Sequence, residues 1–181
     1  MHGNLTMMNR NIFCLAVCIA IISVFSFACR SGNDNKNPVY KPNKNDMADM
    51  NNFLVQKDRE RIQSYFERKG LSMKETPTGL WYNIIKEGNG NFLNDNDRIR
   101  YEYDCSLLDG SKCYNSQELG VAEIQIGKSG LPIGLYEGMK LLKRGGEAIF
   151  ILPPFLAYGL IGDGKKIPPR ATVVYSIRVL E

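Results

Sequence analysis

At 181 residues, with 44% hydrophobic and 23% charged side chains, the chain has room for one globular core plus non-globular flanks, and none for a second large core. Its formal net charge of +4 is spread along the sequence without basic blocks interleaved with aromatics, so the electrostatic footprint of a nucleic-acid binder is missing.

In chain order, Arg10 precedes an uncharged stretch, residues 11–28 (NIFCLAVCIAIISVFSFA), that is short for a membrane span and stops at Cys29. This is the pattern of a signal peptide over residues 1–28. Ser26-Phe27-Ala28-Cys29 resembles a bacterial lipobox, in which the cysteine thiol receives diacylglycerol and becomes the new N-terminus. An ordinary secretory cleavage nearby and an uncleaved anchor are the competing readings. With Cys29 as the lipidation site, several acyl chains would hold the protein on a membrane, since one chain binds only marginally. Cleavage there removes the single histidine, His2, along with Cys14 and Cys18, leaving Cys29, Cys105 and Cys113. A chain without histidine builds neither a Ser-His-Asp triad nor a His-containing zinc site, and two domain cysteines do not make a four-cysteine site. No metal or other cofactor is expected.

Residues 29–46 contain many asparagines, two prolines and almost nothing apolar, the composition of a disordered tether. From Met47 to Gly70 the apolar residues Met47, Met50, Phe53, Leu54, Ile62, Tyr65 and Phe66 recur at helical spacing, so an amphipathic helix is expected over 47–70. Asp46 is its candidate cap and Gly70 its stop. Packing on its own domain or on a second copy is the expectation for its apolar face.

Residues 78–88 read as a strand ending in a Gly-rich turn. Arg98 to Leu107 alternates polar and apolar over ten residues, the mark of a half-buried antiparallel strand. Asp109-Gly110 is a pair suited to the positive φ angles of a two-residue hairpin turn. That turn places Cys105 opposite Tyr114, with Tyr103 and Tyr114 on one face and Cys113 on the other. The same geometry argues against a Cys105–Cys113 disulfide, although a bulge would reverse it. Strands are further expected over residues 123–126, 147–152 and 172–180. A short helix is expected over residues 134–142, with Leu135, Met139 and Leu142 on one face. The implied class is α+β: a curved antiparallel sheet wrapped on one short central helix, with an N-terminal helix. The cleft between such a helix and its sheet suits a small apolar ligand.

The most specific stretch closes the chain. Leu156-Ala157-Tyr158-Gly159, a polar Gly-rich loop, Ile167-Pro168-Pro169 and then Ala171-Thr172-Val173-Val174-Tyr175 resemble the signature of FK506-binding-protein-type prolyl isomerases. The resemblance covers residues 77–181 and implies an FKBP-like domain there. It implies that Tyr158 hydrogen-bonds a substrate carbonyl, that Ile167 forms the opposite lip, and that Tyr175 and Tyr103 wall a proline pocket. The family's Val-Ile-x-Gly-Trp-x-x-Gly stretch is matched by Leu131-Pro132-Ile133-Gly134-Leu135-Tyr136-Glu137-Gly138. Leu131, Pro132 and Leu135 therefore take the substrate-binding places, with Leu135 standing for the tryptophan floor. Pro132 has no N–H to give to a substrate carbonyl, a forfeit on the order of 1 kcal/mol. The family's Phe-Asp pair after the hairpin is replaced by Cys113-Tyr114, or by Tyr114-Asn115 with a bulge, so Tyr114 is expected near the pocket and the acid is expected to be absent.

Together with the lipobox and tether, Tyr101-Glu102-Tyr103 and Leu135-Tyr136-Glu137-Gly138-Met139-Lys140 are similar to a Bacteroidota group of isomerase-like lipoproteins, some labelled gliding-motility associated. The resemblance implies an envelope lipoprotein facing the periplasm that isomerises prolyl bonds in proline-containing unfolded or exported polypeptides. The competing reading is a weakly active or inactive chaperone or assembly factor on the same fold. Prolyl isomerisation suits the residues at hand. Rotation about the amide faces a barrier of about 18–20 kcal/mol from its partial double bond, and no nucleophile or metal is needed to lower it.

Overall fold

Alternation in the strands decides what each face of the sheet meets. A computed structural model describes residues 43–128 and 130–181, and the secondary structure runs α1 (Lys44–Lys69), β1 (Lys74–Glu75), β2 (Trp81–Lys86), β3 (Asn89–Phe92), β4 (Arg98–Leu107), β5 (Lys112–Asn115), α2 (Ser116–Leu119), β6 (Ala122–Gln125), α3 (Ile133–Met139), β7 (Lys143–Arg144), β8 (Glu147–Leu152), a 3-10 turn (Pro154–Leu156) and β9 (Val173–Val179). The expectations for residues 1–28, for Cys29 and for most of the tether lie outside the described residues. No helix among the described residues is long and apolar enough to cross a membrane.

Seven strands pair antiparallel in the order β1-β2-β8-β9-β4-β5, with β6 also on β4, while β3 and β7 form a separate two-stranded ribbon. β4 is the organising strand. One side pairs with β9 from Tyr101 to Leu107, and the other is shared, β6 taking Arg98 to Tyr101 and β5 taking Asp104 to Ser106. Between those two partners the Tyr103 N–H donates to Ser116 Oγ at 2.9 Å, which satisfies the ladder position that neither strand reaches.

Phe150 and Leu152 of β8, and Val173, Tyr175, Ile177 and Val179 of β9, point to the concave face, where they meet Leu135, Met139 and Leu142 from α3 and the turn after it. Fully burying one such side chain contributes about 1.5–3 kcal/mol. The residues between them serve the other face: Ile151 and Val174 join Trp81 and Ile62 of α1 in a second cluster, with Tyr65 and Phe66 against it. Both faces of the central strands are thereby covered. Gly134 and Gly138 let α3 lie close on the sheet. A Cβ at Gly138 would sit 2.9 Å from the Phe150 ring and one at Gly134 2.9 Å from Leu156 Cβ.

The N-terminal helix departs from its expected limits. It begins at Lys44, so Asp46 lies in its first turn, where a carboxylate complements the helix dipole, rather than at the cap. Its end is as read: Gly70 takes φ 64° and the Leu71 N–H bonds Phe66 O at 2.9 Å, the glycine-terminated hydrogen-bond pattern that satisfies the last carbonyls. Only the C-terminal half of the apolar stripe is covered. Ile62 is buried, whereas Met47, Met50 and Phe53 are each more than half exposed.

The hairpin after β4 also differs. Gly110 has φ 92° but Asp109 is not in the left-handed region; the Gly110 N–H bonds Leu107 O at 3.0 Å and the Leu107 N–H bonds Ser111 O at 2.9 Å. The turn is thus centred on Leu108-Asp109, with Gly110 as the residue that completes a bulge. Cys105 does face Tyr114, as expected, but the register then slips to Ser106 opposite Lys112, leaving Cys113 as the extra residue. The slip turns Cys113 inward, into the same buried cluster as Cys105, and both remain free thiols. The expectation that the two cysteines occupy opposite faces is corrected by this bulge.

Candidate active site

Period-two alternation along β4 sends Ile99, Tyr101, Tyr103 and Cys105 inward, and the pairing with β9 sets Cys105 beside Tyr175. The Tyr103 and Tyr175 rings lie 6.4 Å apart at 45°, and those of Tyr101 and Tyr103 5.7 Å apart. Tyr158 enters from the loop after the 3-10 turn, and its hydroxyl lies 3.0 Å from that of Tyr175. Tyr103, Tyr158 and Tyr175 are therefore brought together as expected, in one layer over the concave core. Burial raises the pKa of both Tyr158 and Tyr175, with the neighbouring Cys105 and tyrosine hydroxyls acting in the same direction on Tyr175. Both phenols stay protonated at neutral pH and keep an O–H to donate.

Leu135 and Ile167, expected as floor and lip, are only 1% and 2% exposed and stand behind this layer in the buried cluster. The partly exposed surface belongs to Tyr103, Tyr114, Tyr158 and Leu131, all packed against that cluster. Pro132 is the residue before α3, with φ −52°, and its carbonyl accepts from the Leu135 N–H at 3.0 Å. The preceding amide is taken as well, since the Leu131 N–H donates to the Tyr136 hydroxyl at 3.1 Å. This rim thus offers a substrate no backbone donor at either Leu131 or Pro132.

Tyr114 packs at the edge of this layer, and although no acid stands at 113–115, one reaches it from another loop. Its hydroxyl donates to Asp163 Oδ2, across from the hairpin. The other carboxylate oxygen accepts from the Lys165 and Ile167 N–H groups, both at 2.8 Å, while the Asp163 N–H bonds Ile167 O at 3.0 Å. Burial alone would raise this carboxyl, but the hydrogen bonds from Tyr114 and from the two amides outweigh it, so its pKa is lowered. Asp163 is accordingly an anion that folds the loop around itself and holds the segment carrying Ile167. Gly162, at φ 75°, permits that closure: a Cβ there would lie 2.3 Å from Ile167 O.

Three contributors escaped the sequence reading. Tyr101 has the same parity as Tyr103 along β4, a signal that was present. Tyr136 falls within the Leu131–Gly138 stretch, but its hydroxyl's reach back to Leu131 depends on how α3 begins. Asp163 sat in what read only as a polar loop, 49 residues from Tyr114.

A curved antiparallel sheet closed over a short helix, with a layer of tyrosines whose hydroxyls stay protonated, is an arrangement suited to non-covalent contact with an apolar ligand. The family model described as FKBP-type peptidyl-prolyl cis-trans isomerase matches residues 90–180. Among curated relatives, a probable FKBP-type peptidyl-prolyl cis-trans isomerase FkpA of Neisseria meningitidis is 37% identical over 126 residues, 68% of this chain and 46% of the relative. The crystal structure of FkpA from Escherichia coli aligns with a TM-score of 0.61 at 28% identity, covering 75% of this chain and 63% of that one. AtFKBP13 aligns with a TM-score of 0.58 at 24% identity over 61% of this chain and 98% of its own, a likeness of fold. The chain belongs to the FKBP-type peptidyl-prolyl cis-trans isomerase family. It spans about half the length of the curated relatives it matches.

Proposed function

We propose that the protein is a peptidyl-prolyl cis-trans isomerase that acts, at the cell envelope, on proline-containing segments of unfolded or exported polypeptides. The observation that carries this reading is the Tyr158–Tyr175 hydroxyl pair, 3.0 Å apart, packed on the same core cluster as the partly exposed Tyr103, Tyr114 and Leu131. Tyr175 is more buried and orients Tyr158, whose hydroxyl holds a substrate carbonyl while the proline ring leaves water against Tyr103, Leu131 and Tyr114. Ile167, Leu135 and Pro132 back and edge that surface. Removing water from the amide and holding the twisted geometry, in which conjugation is lost, lowers the barrier without covalent chemistry. The two rim amides that are unavailable, at Leu131 and Pro132, make for a modest catalyst.

A protease-free isomerisation assay on a short X-Pro peptide tests this. The Tyr158→Phe variant is expected to lose about 1–2 kcal/mol of transition-state stabilisation, a drop in kcat/KM of roughly five- to thirtyfold, typical of one lost hydrogen bond. Rates at background from the folded wild-type chain would overturn the reading in favour of a non-catalytic binding role.

The polar run after Cys29, with the lipobox-like Ser26-Phe27-Ala28-Cys29, supports lipid anchoring on the periplasmic side. In cells fed a radiolabelled fatty acid, the wild-type chain is expected to take up label and Cys29→Ser to take up none; equal labelling of both would refute anchoring at this residue.

A further inference from the structure

Helix α1 precedes the segment that the family model matches, yet one of its two buried residues is a carboxylate. Asp58 is 3% exposed. Its neighbour on the helix, Arg61, comes no nearer than 3.8 Å and is itself exposed. The close partner is Arg170, 112 residues later, with Nη2 2.8 Å from Asp58 Oδ2. Arg170 is unusual in its own right. At φ 56° it is one of two non-glycine residues in the left-handed region among those described, a conformation that strains an L side chain. Its N–H bonds Gly159 O at 3.0 Å, closing the base of the loop that begins at Tyr158 and carries Ile167.

Neither feature is a good source of stability. An ion pair that buries its carboxylate does little better than a well-packed apolar contact, and a positive φ on arginine opposes the fold. What the two provide together is geometry, since a guanidinium held by a fixed carboxylate fixes the backbone that bears it. We propose that Asp58 and Arg170 are positioning residues for prolyl isomerisation, through which helix α1 sets the base of the 158–170 loop and hence the placement of Tyr158 and Ile167. This rests on reading Tyr158 as a pocket residue. It makes α1 a working part of the isomerase rather than a spacer between tether and domain.

The test is a double-mutant cycle in the full-length protein, with Asp58→Ala, Arg170→Gly and the pair assayed on an X-Pro peptide beside wild type, Arg170→Lys and Tyr158→Phe. Glycine relieves the strained φ but leaves the buried Asp58 without its close partner, so Arg170→Gly alone loses stability; the double variant relieves the strain and buries no lone charge, which keeps a folded variant in the series. The double variant is expected to keep a melting midpoint near that of wild type, and in folded Arg170→Gly kcat/KM is expected to fall about tenfold, the order of loss that a displaced catalytic group produces. The double variant is expected to fall no further than Arg170→Gly, and Arg170→Lys to lie between that variant and wild type. Wild-type rates in folded Arg170→Gly, or losses that multiply in the double variant, would overturn the latch. If Tyr158→Phe in the same series matches wild type, the pocket reading fails instead, so the two failures are told apart.

Discussion

Single residues set how good a catalyst the proposed site would be. Pro132 has no N–H, and the adjacent Leu131 N–H is already spent on Tyr136. Pro132→Ile returns a donor at a position with no donor now, and its φ of −52° is one that isoleucine adopts. One recovered hydrogen bond is worth about 1 kcal/mol, so kcat/KM toward an X-Pro peptide is expected to rise roughly fivefold. No rise would mean that a substrate carbonyl does not approach this rim. Asp163 acts on the loop instead. With its pKa lowered below the ordinary 3.8, the order it gives the loop is fully present above that value and lost as pH falls through the folded value. The tyrosine hydroxyls, raised above their ordinary 10.0, do not titrate in the working range. Isomerisation, followed by exchange NMR, is therefore expected to be flat between about pH 5 and 8 and to decline only below roughly pH 4. Asp163→Asn should be slower at every pH and lack that acid decline. An acid decline of the same shape in the variant would show that another group is responsible.

At the scale of elements, the β4–β5 hairpin shows both the reach and the limit of pattern. Ten alternating residues defined β4 without error at either end, because one wet face and one dry face leave a single register. The turn was less legible. Asp-Gly fits a two-residue turn and also a turn closed by a glycine bulge, and only the packing of the hairpin against the 158–170 loop distinguishes them. The difference moves Cys113 from one face to the other. Burial raises the thiol of Cys113 and pushes that of Cys105 up to about 12. Both are then protonated and shielded, and thiolate reagents reach neither. Native labelling by iodoacetamide, mapped by mass spectrometry, is expected to leave Cys105 and Cys113 unmodified at pH 8 and to modify both in denaturant. Rapid native labelling of either would place it at the surface, and recovery of a linked peptide would show that the pair oxidises.

For the whole molecule, the N-terminal helix is what separates this chain from a bare isomerase domain. Periodicity located it, but the same periodicity promised a continuous apolar stripe on one partner. From the helix, the cluster on the sheet's outer face around Trp81, Ile151 and Val174 takes in Ile62, Tyr65 and Phe66. Of the preceding turns, Leu54 and Val55 are half-buried, while Met47, Met50 and Phe53 stand in solvent.

What the sequence determined by itself was everything set by local period and by an ordered signature. It specified the α+β class, the strands β4 and β8, the helix stop at Gly70, and the set of Tyr103, Tyr158 and Tyr175. Each is a one-dimensional pattern with one three-dimensional solution. The tertiary structure alone decided which groups far apart in the chain touch: Asp163 with Tyr114, Asp58 with Arg170, and Cys105 with Cys113 in one buried cluster. These depend on how loops close over a finished sheet, and a charged residue in a polar stretch gives no advance sign of which distant partner will bury or bind it.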